Sequence, residues 1–477
     1  EQYSDNSDYS PVSYLIESWE SPIILTTMVQ FSNTLFGGRA ANLRRFCKLI
    51  DSTIVIDEIQ SLPLKALYSF NLMFNFLKYI MKCNVVHSTA TQPAFDAPEL
   101  KFPVLYGDRK QADHSICRGS VEALTCFDRV DFFNLTGKNA NEKMNTEDVV
   151  SSVMKTMKTF NSCLVVVNTK RAVLELYEAV KSSLYDGKVY CLTTNLCPAH
   201  RLEKIREIKK MLVDNRRNAN SNNRVVCIST QLIEAGVDLD FDVVYRSLAG
   251  MDSLIQSAGR CNREGKLKLN GKLCRGKVYI FRYTVENLSR LSSIQETIDA
   301  SSEALRALQT HEAQTPINMN ILQEYYFRKY YVENMDKMMY PLRGGRTIVD
   351  MLGPNLRQRN EYEIKHYPQK YNYILSQSFD SSAKEFNLID EDTVGLIVQY
   401  NNDKLIRALY TAIDCRDYQE ISSILRQLQP YTVNLYRNQV QNGFIRKEME
   451  GSILLLEEEC YSEEVGVSMD KLPDYIF

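Results

Sequence analysis

Nine short, nearly continuous apolar runs, set apart by helix-length segments, constrain this chain more than any other feature. They are Pro22–Thr27, Ser52–Ile56, Asn84–Ser88, Val130–Leu135, Cys163–Asn168, Lys188–Thr193, Arg224–Thr230, Phe241–Arg246 and Lys277–Tyr283. Each is nearly continuously apolar rather than alternating, which is how strands covered on both faces of a parallel sheet read. Helical patterns over Leu64–Met81, Thr146–Phe160, Arg171–Ser183 and Pro198–Val213 lie between several of them. Strand and helix in alternation predict an α/β layered fold with parallel sheets. So many strands exceed one compact sheet. The polar, non-periodic stretch 136–146 therefore marks the expected boundary between two domains.

Beyond about residue 290 the pattern changes. Asn287–Leu308 and Ile317–Tyr340 read as helices, and Gly344–Gly345 breaks the second. That helix carries Tyr325, Tyr326, Phe327, Tyr330 and Tyr331, whose spacing suits core packing better than a base-stacking platform. Asn215–Arg224 is a low-complexity polar loop, expected at the surface. From Lys447 onward nine acidic residues face two lysines, a solvated face or a protein contact.

Charge and cysteine usage narrow the function classes. Lys plus Arg is 57 and Asp plus Glu is 59, so any nucleic-acid binding must occupy a local groove rather than a basic surface. No run of about 18 apolar residues exists, so no membrane partner is expected. The 12 cysteines contain no CxxC pair and sit mainly in apolar runs, as reduced thiols of a cytoplasmic protein do. None of the 5 histidines precedes an Asp or belongs to HExxH, so a metal-dependent nuclease has no support in these residues. The chain opens on EQYSDNSDYS without a signal-peptide pattern or an initiator Met, which predicts a processed chain or a fragment.

Four strand-end segments carry the chemistry. Asp57-Glu58-Ile59-Gln60 follows the run Ser52–Ile56, where carboxylates face the crevice at the C-terminal ends of parallel strands. Asp57 could hold magnesium and Glu58 could activate water; an isolated Asp-Glu pair is more often an acidic helix start. Ser88, Thr89 and Thr91 of STAT could hydrogen-bond that acidic site, although a turn or cap is the commoner use of such hydroxyls. Gln256–Gly265, QSAGRCNREG, has the form Q-x-x-G-R-x-x-R. Arg260 and Arg263 share one face and could grip γ-phosphate oxygens together with Gln256, or could simply be solvated. Ser229–Asp240, STQLIEAGVDLD, offers Gly236 for a tight turn and Asp238 as an acceptor for a ribose hydroxyl or an arginine. Alone it is an ordinary strand–turn–strand.

Together and in this order, the four resemble the motifs of superfamily 2 helicases. DEIQ stands where that superfamily has its Walker B box, STAT its coupling motif, and STQLIEAGVD and QSAGRCNR the last two motifs of the second RecA-like domain. ILTTMVQFSNTLF, IDEIQSLP, STATQP, CPAHR, TQLIEAGVDLDFD, QSAGRCNREG and QPYTVNL are further similar to the CRISPR-associated type I helicase–nuclease, from about Pro22 to Leu435 and thinly between 300 and 425.

The resemblance implies two RecA-like domains, the first incomplete (1–140) and the second spanning 141–290. A helical linker (291–345) and a smaller accessory domain (346–477) would follow. It also implies ATP and magnesium at a site between the RecA-like domains. Translocation on single-stranded DNA, and recruitment to an R-loop by a surveillance complex holding crRNA, belong to the same expectation. By family position, Thr26, Thr27, Asn168, Thr169, Arg171, Thr230 and Gln231 would touch the DNA backbone.

One departure stands out. The phosphate-cradling pattern G-x-x-x-x-G-K-[ST] occurs nowhere: Gly37–Asn42 lacks the Lys, and Thr136–Asn141 lacks the upstream Gly and the hydroxyl. The family places that loop and a His-Asp nuclease upstream. The chain is therefore expected to be a helicase portion that hydrolyses ATP poorly alone. An RNA helicase of the DEAD-box type and a non-enzymatic DNA-binding remnant are the alternatives.

Overall fold

Whether an apolar run becomes a strand depends on whether it finds a neighbour to pair with, and the two halves of this chain differ in that respect. The computed structural model describes residues 18–89, 93–107, 116, 129–184, 186–217, 223–289, 291–308, 316–354, 356–370, 377–388, 393–437, 440 and 444–468. The chain divides into a unit of Glu1–Arg118 with Phe327–Asp390, and a unit of Gly119–Tyr326 with Glu391–Phe477.

In the first unit, helices α1 (Met28–Phe36) and α2 (Ala40–Cys47) precede strand β1 (Thr53–Asp57), helix α3 (Leu67–Tyr79) and strand β2 (Asn84–Ser88). The strands run parallel, from Thr53 opposite Asn84 to Asp57 opposite Ser88. Leu67, Phe70, Phe74 and Leu77 recur at helical spacing and bury one stripe of α3. The returning segment contributes to the same core: Phe36 stacks on Phe386 at 4.3 Å, and Phe95 meets Tyr331 edge-on at 5.7 Å.

Pro22–Thr27 departs from expectation. It forms no strand, Pro22 and Ile23 lying in a bend, and Leu25 is 97% exposed. Among the described residues β1 and β2 pair only with each other, so this apolar run has no ladder to join. Val55, at the middle of β1, is likewise 64% exposed.

The second unit is built on a six-stranded, all-parallel sheet. Its strands are β3 (Val130–Asn134), β4 (Ser162–Val166), β5 (Lys188–Leu192), β6 (Val225–Ser229), β7 (Val243–Ser247) and β8 (Gly276–Phe281), in spatial order β3-β8-β7-β4-β6-β5. Strands β4, β6 and β7 are buried along their whole length. Helices α4 (Thr146–Met157) and α5 (Lys170–Ser183) set Val149, Val153, Val173, Leu176 and Val180 into one core with Val165, Val226 and Val243. Helices α6 (Pro198–Arg217), α7 (Met251–Ala258) and α8 (Ser292–Ala307) complete this part.

The polar stretch 136–146 is a connection inside this unit, not its edge. Strand β3 before it pairs with β8, Glu142 N donates to Thr136 O at 2.9 Å, and an Asn145–Asp148 capping box starts α4. Polar composition marked a turn and a helix cap there.

The expected accessory region is also shared out. Residues 346–388 lie with the first unit and 393–468 with the second. The latter form a mixed sheet of β9 (Thr393–Ile397), β10 (Thr432–Tyr436), β11 (Ile445–Glu448) and β12 (Ile453–Leu456), in order β10-β9-β12-β11. The CPAHR segment anchors it: Cys197 enters its core, and buried His200 stacks on Tyr400 at 4.0 Å with Nδ1 3.0 Å from the Tyr461 hydroxyl. Of the face Phe327, Tyr330 and Tyr331 expected to pack, Phe327 and Tyr331 are buried and Tyr330 is half-buried; Tyr326 is buried as well. No helix among the described residues is long and apolar enough to cross a membrane.

Candidate functional site

The parallel register of β1 and β2 brings two of the motifs together. Asp57 and Ser88 are register partners, and Ser88 Oγ donates to Asp57 Oδ1 at 2.9 Å. Glu58 ends the strand in the left-handed region (φ 52°, ψ 46°), which non-glycine residues rarely adopt and which concentrates at functional sites. Gln60 Nε2 donates to Glu58 Oε2, and Thr89 Oγ1 donates to Gln60 Oε1. Each acid is thus linked to one hydroxyl, Asp57 directly to Ser88 and Glu58 through Gln60 to Thr89. Asp57 is exposed, and a solvated carboxylate beside a hydroxyl suits a hard, hydrated divalent cation such as magnesium. Gln60 is buried and bridges the two motifs; it stood inside DEIQ but was not singled out there. Thr91 lies outside the described residues.

Thr27 caps α1, its hydroxyl accepting from Gln30 N at 3.2 Å, and exposed Thr26 precedes it. Thr169 caps α5 in the same way, accepting from Ala172 N at 3.2 Å, and Arg171 is exposed in the first turn of that helix. Asn168 is buried: its amide donates to Leu248 O at 3.0 Å and Glu286 Oε2 at 3.1 Å, and its oxygen accepts from Arg246 Nη1 at 2.8 Å. Thr230 is buried at the end of β6, while Gln231 is exposed and opens a short 3₁₀ turn.

The second unit also joins two motifs. Arg260 Nε donates to Ile233 O at 3.0 Å and Nη2 to Glu234 O at 2.5 Å. Arg263 Nη1 lies 3.5 Å from Asp238 Oδ1, and Lys209 Nζ lies 2.5 Å from Asp238 Oδ2. The Lys209 hydrogen bond, helped by the charges of Lys209 and Arg263, holds the Asp238 carboxyl below its usual range. Asp240 accepts from Arg263 N at 2.7 Å and pairs with Arg216 at 2.6 Å. Gly236, at φ +70°, supplies the left-handed turn between these contacts. Gln256 is half-buried within α7.

Sequence reasoning passed over a buried polar hub. Arg246 is 0% exposed, with Nε 2.9 Å from Glu234 Oε1. Ser253 Oγ donates to both Glu234 oxygens (2.7 and 2.8 Å), Ser257 Oγ donates to Oε1 (2.9 Å), and Ser247 Oγ donates to Glu286 Oε2 (2.6 Å). Burial raises the carboxyls of Glu286 and Asp252, the latter to about 6. The available signal was a lone arginine closing the apolar run FDVVYR.

Comparison with known proteins follows the same lines. Residues 159–266 match the family described as CRISPR-associated nuclease/helicase Cas3, C-terminal. A CRISPR-associated nuclease/helicase Cas3 of Methanothermobacter thermautotrophicus is 32% identical over 123 residues, 26% of this chain and 14% of that protein. The Haloferax volcanii protein of the same name is 23% identical over 326 residues, 54% of this chain and 35% of that protein. Among solved structures, T. fusca Cas3 with AMPPNP superimposes at TM-score 0.60 and 12% identity, covering 95% of this chain and 57% of that one. A chain of a CRISPR RNA-guided surveillance complex, pre-nicking, does so at 0.56 and 13%, covering 93% and 58%. At such identities the structures speak for the fold, and the chain spans well under two thirds of each relative.

Proposed function

We propose that this chain, the C-terminal helicase portion of a Cas3-type superfamily 2 protein, couples ATP hydrolysis to movement along single-stranded DNA in interference against foreign DNA. The observation that supports this most is the array at the ends of β1 and β2, where Asp57 and Glu58 are hydrogen-bonded to Ser88 and, through Gln60, to Thr89.

In this reading Glu58 accepts the proton of the attacking water, and Gln60 orients its carboxylate. Asp57 would hold a magnesium ion, which supplies charge neutralisation at the phosphates. In the second unit Arg263, on an element that also carries Gln256 and Arg260, is the cation offered to a nucleotide phosphate. Gly236 and Asp238 shape the turn beside that arginine. Ser88 and Thr89 report the state of the acidic site to the rest of the unit. Thr26, Thr27, Thr169, Arg171 and Gln231 would meet the DNA backbone, which fixes register without reading sequence. Asn168 and Thr230, being buried, would act through main chain and neighbours.

The remaining partners belong to the same proposal: a surveillance complex with crRNA, and a segment bearing a phosphate-binding loop and a nuclease. Without G-x-x-x-x-G-K-[ST], this polypeptide alone should hydrolyse ATP poorly. The test is ATP turnover by the longest natural polypeptide containing this chain, with single-stranded DNA, with RNA and with neither. Stimulation by DNA is expected. Glu58→Gln should retain nucleotide binding and lose about 10²–10⁴-fold in turnover. Stimulation by RNA alone, or near-normal turnover of Glu58→Gln, overturns the reading.

A further inference from the structure

We propose that Glu234 and Arg246 form a buried clamp that sets the position of the turn Gly259–Arg263, with Arg260 a part of that clamp, leaving Arg263 as the arginine that reaches for phosphate. The inference deepens the functional reading and rests on it for the identity of the reaction; the clamp itself rests on geometry.

Strand β7 delivers Arg246 into the interior, where a guanidinium persists only when paired and hydrogen-bonded. Glu234 is that partner at 2.9 Å, and its carboxylate does a second job. It accepts from Ser253 and Ser257, which stand one turn apart on the same face of α7, the helix that leads into the arginine turn. Arg246 Nη2 donates to Ser253 Oγ at 2.7 Å, closing a triangle of Arg246, Glu234 and Ser253. The main chain of the same short segment, Ile233 O and Glu234 O, takes the guanidinium of Arg260. Helix α7 and the turn after it are therefore held at both ends by residues 233–234.

The other side of Arg246 serves a different motif. Its Nη1 donates to Asn168 Oδ1, and Asn168 is steadied by Glu286. One guanidinium thus fixes both the segment that leads into α5, beside the Thr169 cap, and the helix that carries the arginine turn. Arg260 spends donors on two carbonyls, the work of a positioning residue. Arg263 keeps a partly exposed pair with Asp238 at 3.5 Å, a contact weak enough to exchange for a phosphate oxygen.

The test uses the longest natural polypeptide containing this chain, as wild type, Glu234→Gln and Ser257→Ala. Ser257→Ala is the milder change, kept in case Glu234→Gln does not fold. Expected is a fall in kcat of about 10²-fold for Glu234→Gln, with KM for ATP within about twofold and the unfolding midpoint little changed for Ser257→Ala. Backbone amides of residues 256–264 should exchange at least about tenfold faster in either variant, while those of β4 keep their protection. Wild-type kcat with wild-type exchange in both variants overturns the clamp. If the wild type itself hydrolyses no ATP, the functional reading fails, and the exchange measurement alone still decides the clamp.

Discussion

Strands β1 and β4 are both five residues long, both carry three consecutive aliphatic residues, and both end beside a candidate site. Their surroundings could hardly differ more. Every residue of β4 is buried between β6 and β7, whereas β1 pairs with β2 alone and leaves Val55 open to solvent. The comparison teaches that an apolar run specifies a strand but not its burial, which the neighbours decide. It also separates two styles of site. In the first unit the candidate side chains run from exposed Asp57 and Ser88 to buried Gln60, joined over short range. In the second, α7 and Arg260 are hydrogen-bonded to the segment of buried Glu234, while Arg263 and Asp238 stay partly exposed.

The sharpest way to probe this contrast is Arg263→Ala in the longest natural polypeptide containing the chain. It should lower ATP turnover by about 10³-fold or more if Arg263 stabilises the transition state, measured by steady-state hydrolysis. A loss of less than tenfold would move the arginine role elsewhere in the second unit. Next in size is a matched pair of core tests. Ile228→Ala, in fully buried β6, should cost about 2–5 kcal/mol in chemical unfolding, and Val55→Ala, in β1, should stay within about 0.5 kcal/mol. Equal costs would break the comparison by showing that Val55 is covered in solution.

The smallest effect concerns pH. The Asp252 carboxyl is raised from 3.8 to about 6 by burial, so the folded protein binds its proton more tightly than the unfolded chain does. Its contribution to stability is therefore fully present below pH 3.8 and lost as pH rises to about 6. Buried His200, lowered to about 4, acts in the opposite direction over much of that range, so the net slope of the wild type is not diagnostic. The informative quantity is the difference between wild type and Asp252→Asn, whose unfolding midpoints should draw apart, to the disadvantage of wild type, from pH 4 to pH 6.

Much of this was legible in the residues. Eight of the nine apolar runs became strands, because near-continuous β-branched sequence has few other uses in a layered fold. Pro22–Thr27 failed because strand formation is a property of pairs, and its pairing partner cannot be read from its own letters. Three of the four motifs appeared at strand ends, whereas Gln256–Gly265 occupies the last turn of α7 and the turn after it; within each unit two motifs touch, as Ser88 with Asp57 and Arg263 with Asp238. Register made the first contact, which follows once two strands are known to be parallel neighbours. Arg246 and Glu234 were not legible as a pair. Charged residues inside apolar segments usually mark a boundary, and only the crossing of β7 behind the 3₁₀ turn shows that these two meet. The domain limits were read from polar composition, which signals a loop equally well inside a domain and between two.

The division of the chain has a consequence for synthesis. The polypeptide passes between the two units three times, at 118/119, 326/327 and 390/391. Phe36 and Phe95 are made well before their ring partners Phe386 and Tyr331, which follow hundreds of residues later. Those rings must wait uncovered while the entire parallel sheet of the other unit is translated and can close around its own core. Chaperone demand during expression should thus fall on the segment that holds Phe36 and Phe95, and any truncation ahead of residue 386 should leave it without its closing rings.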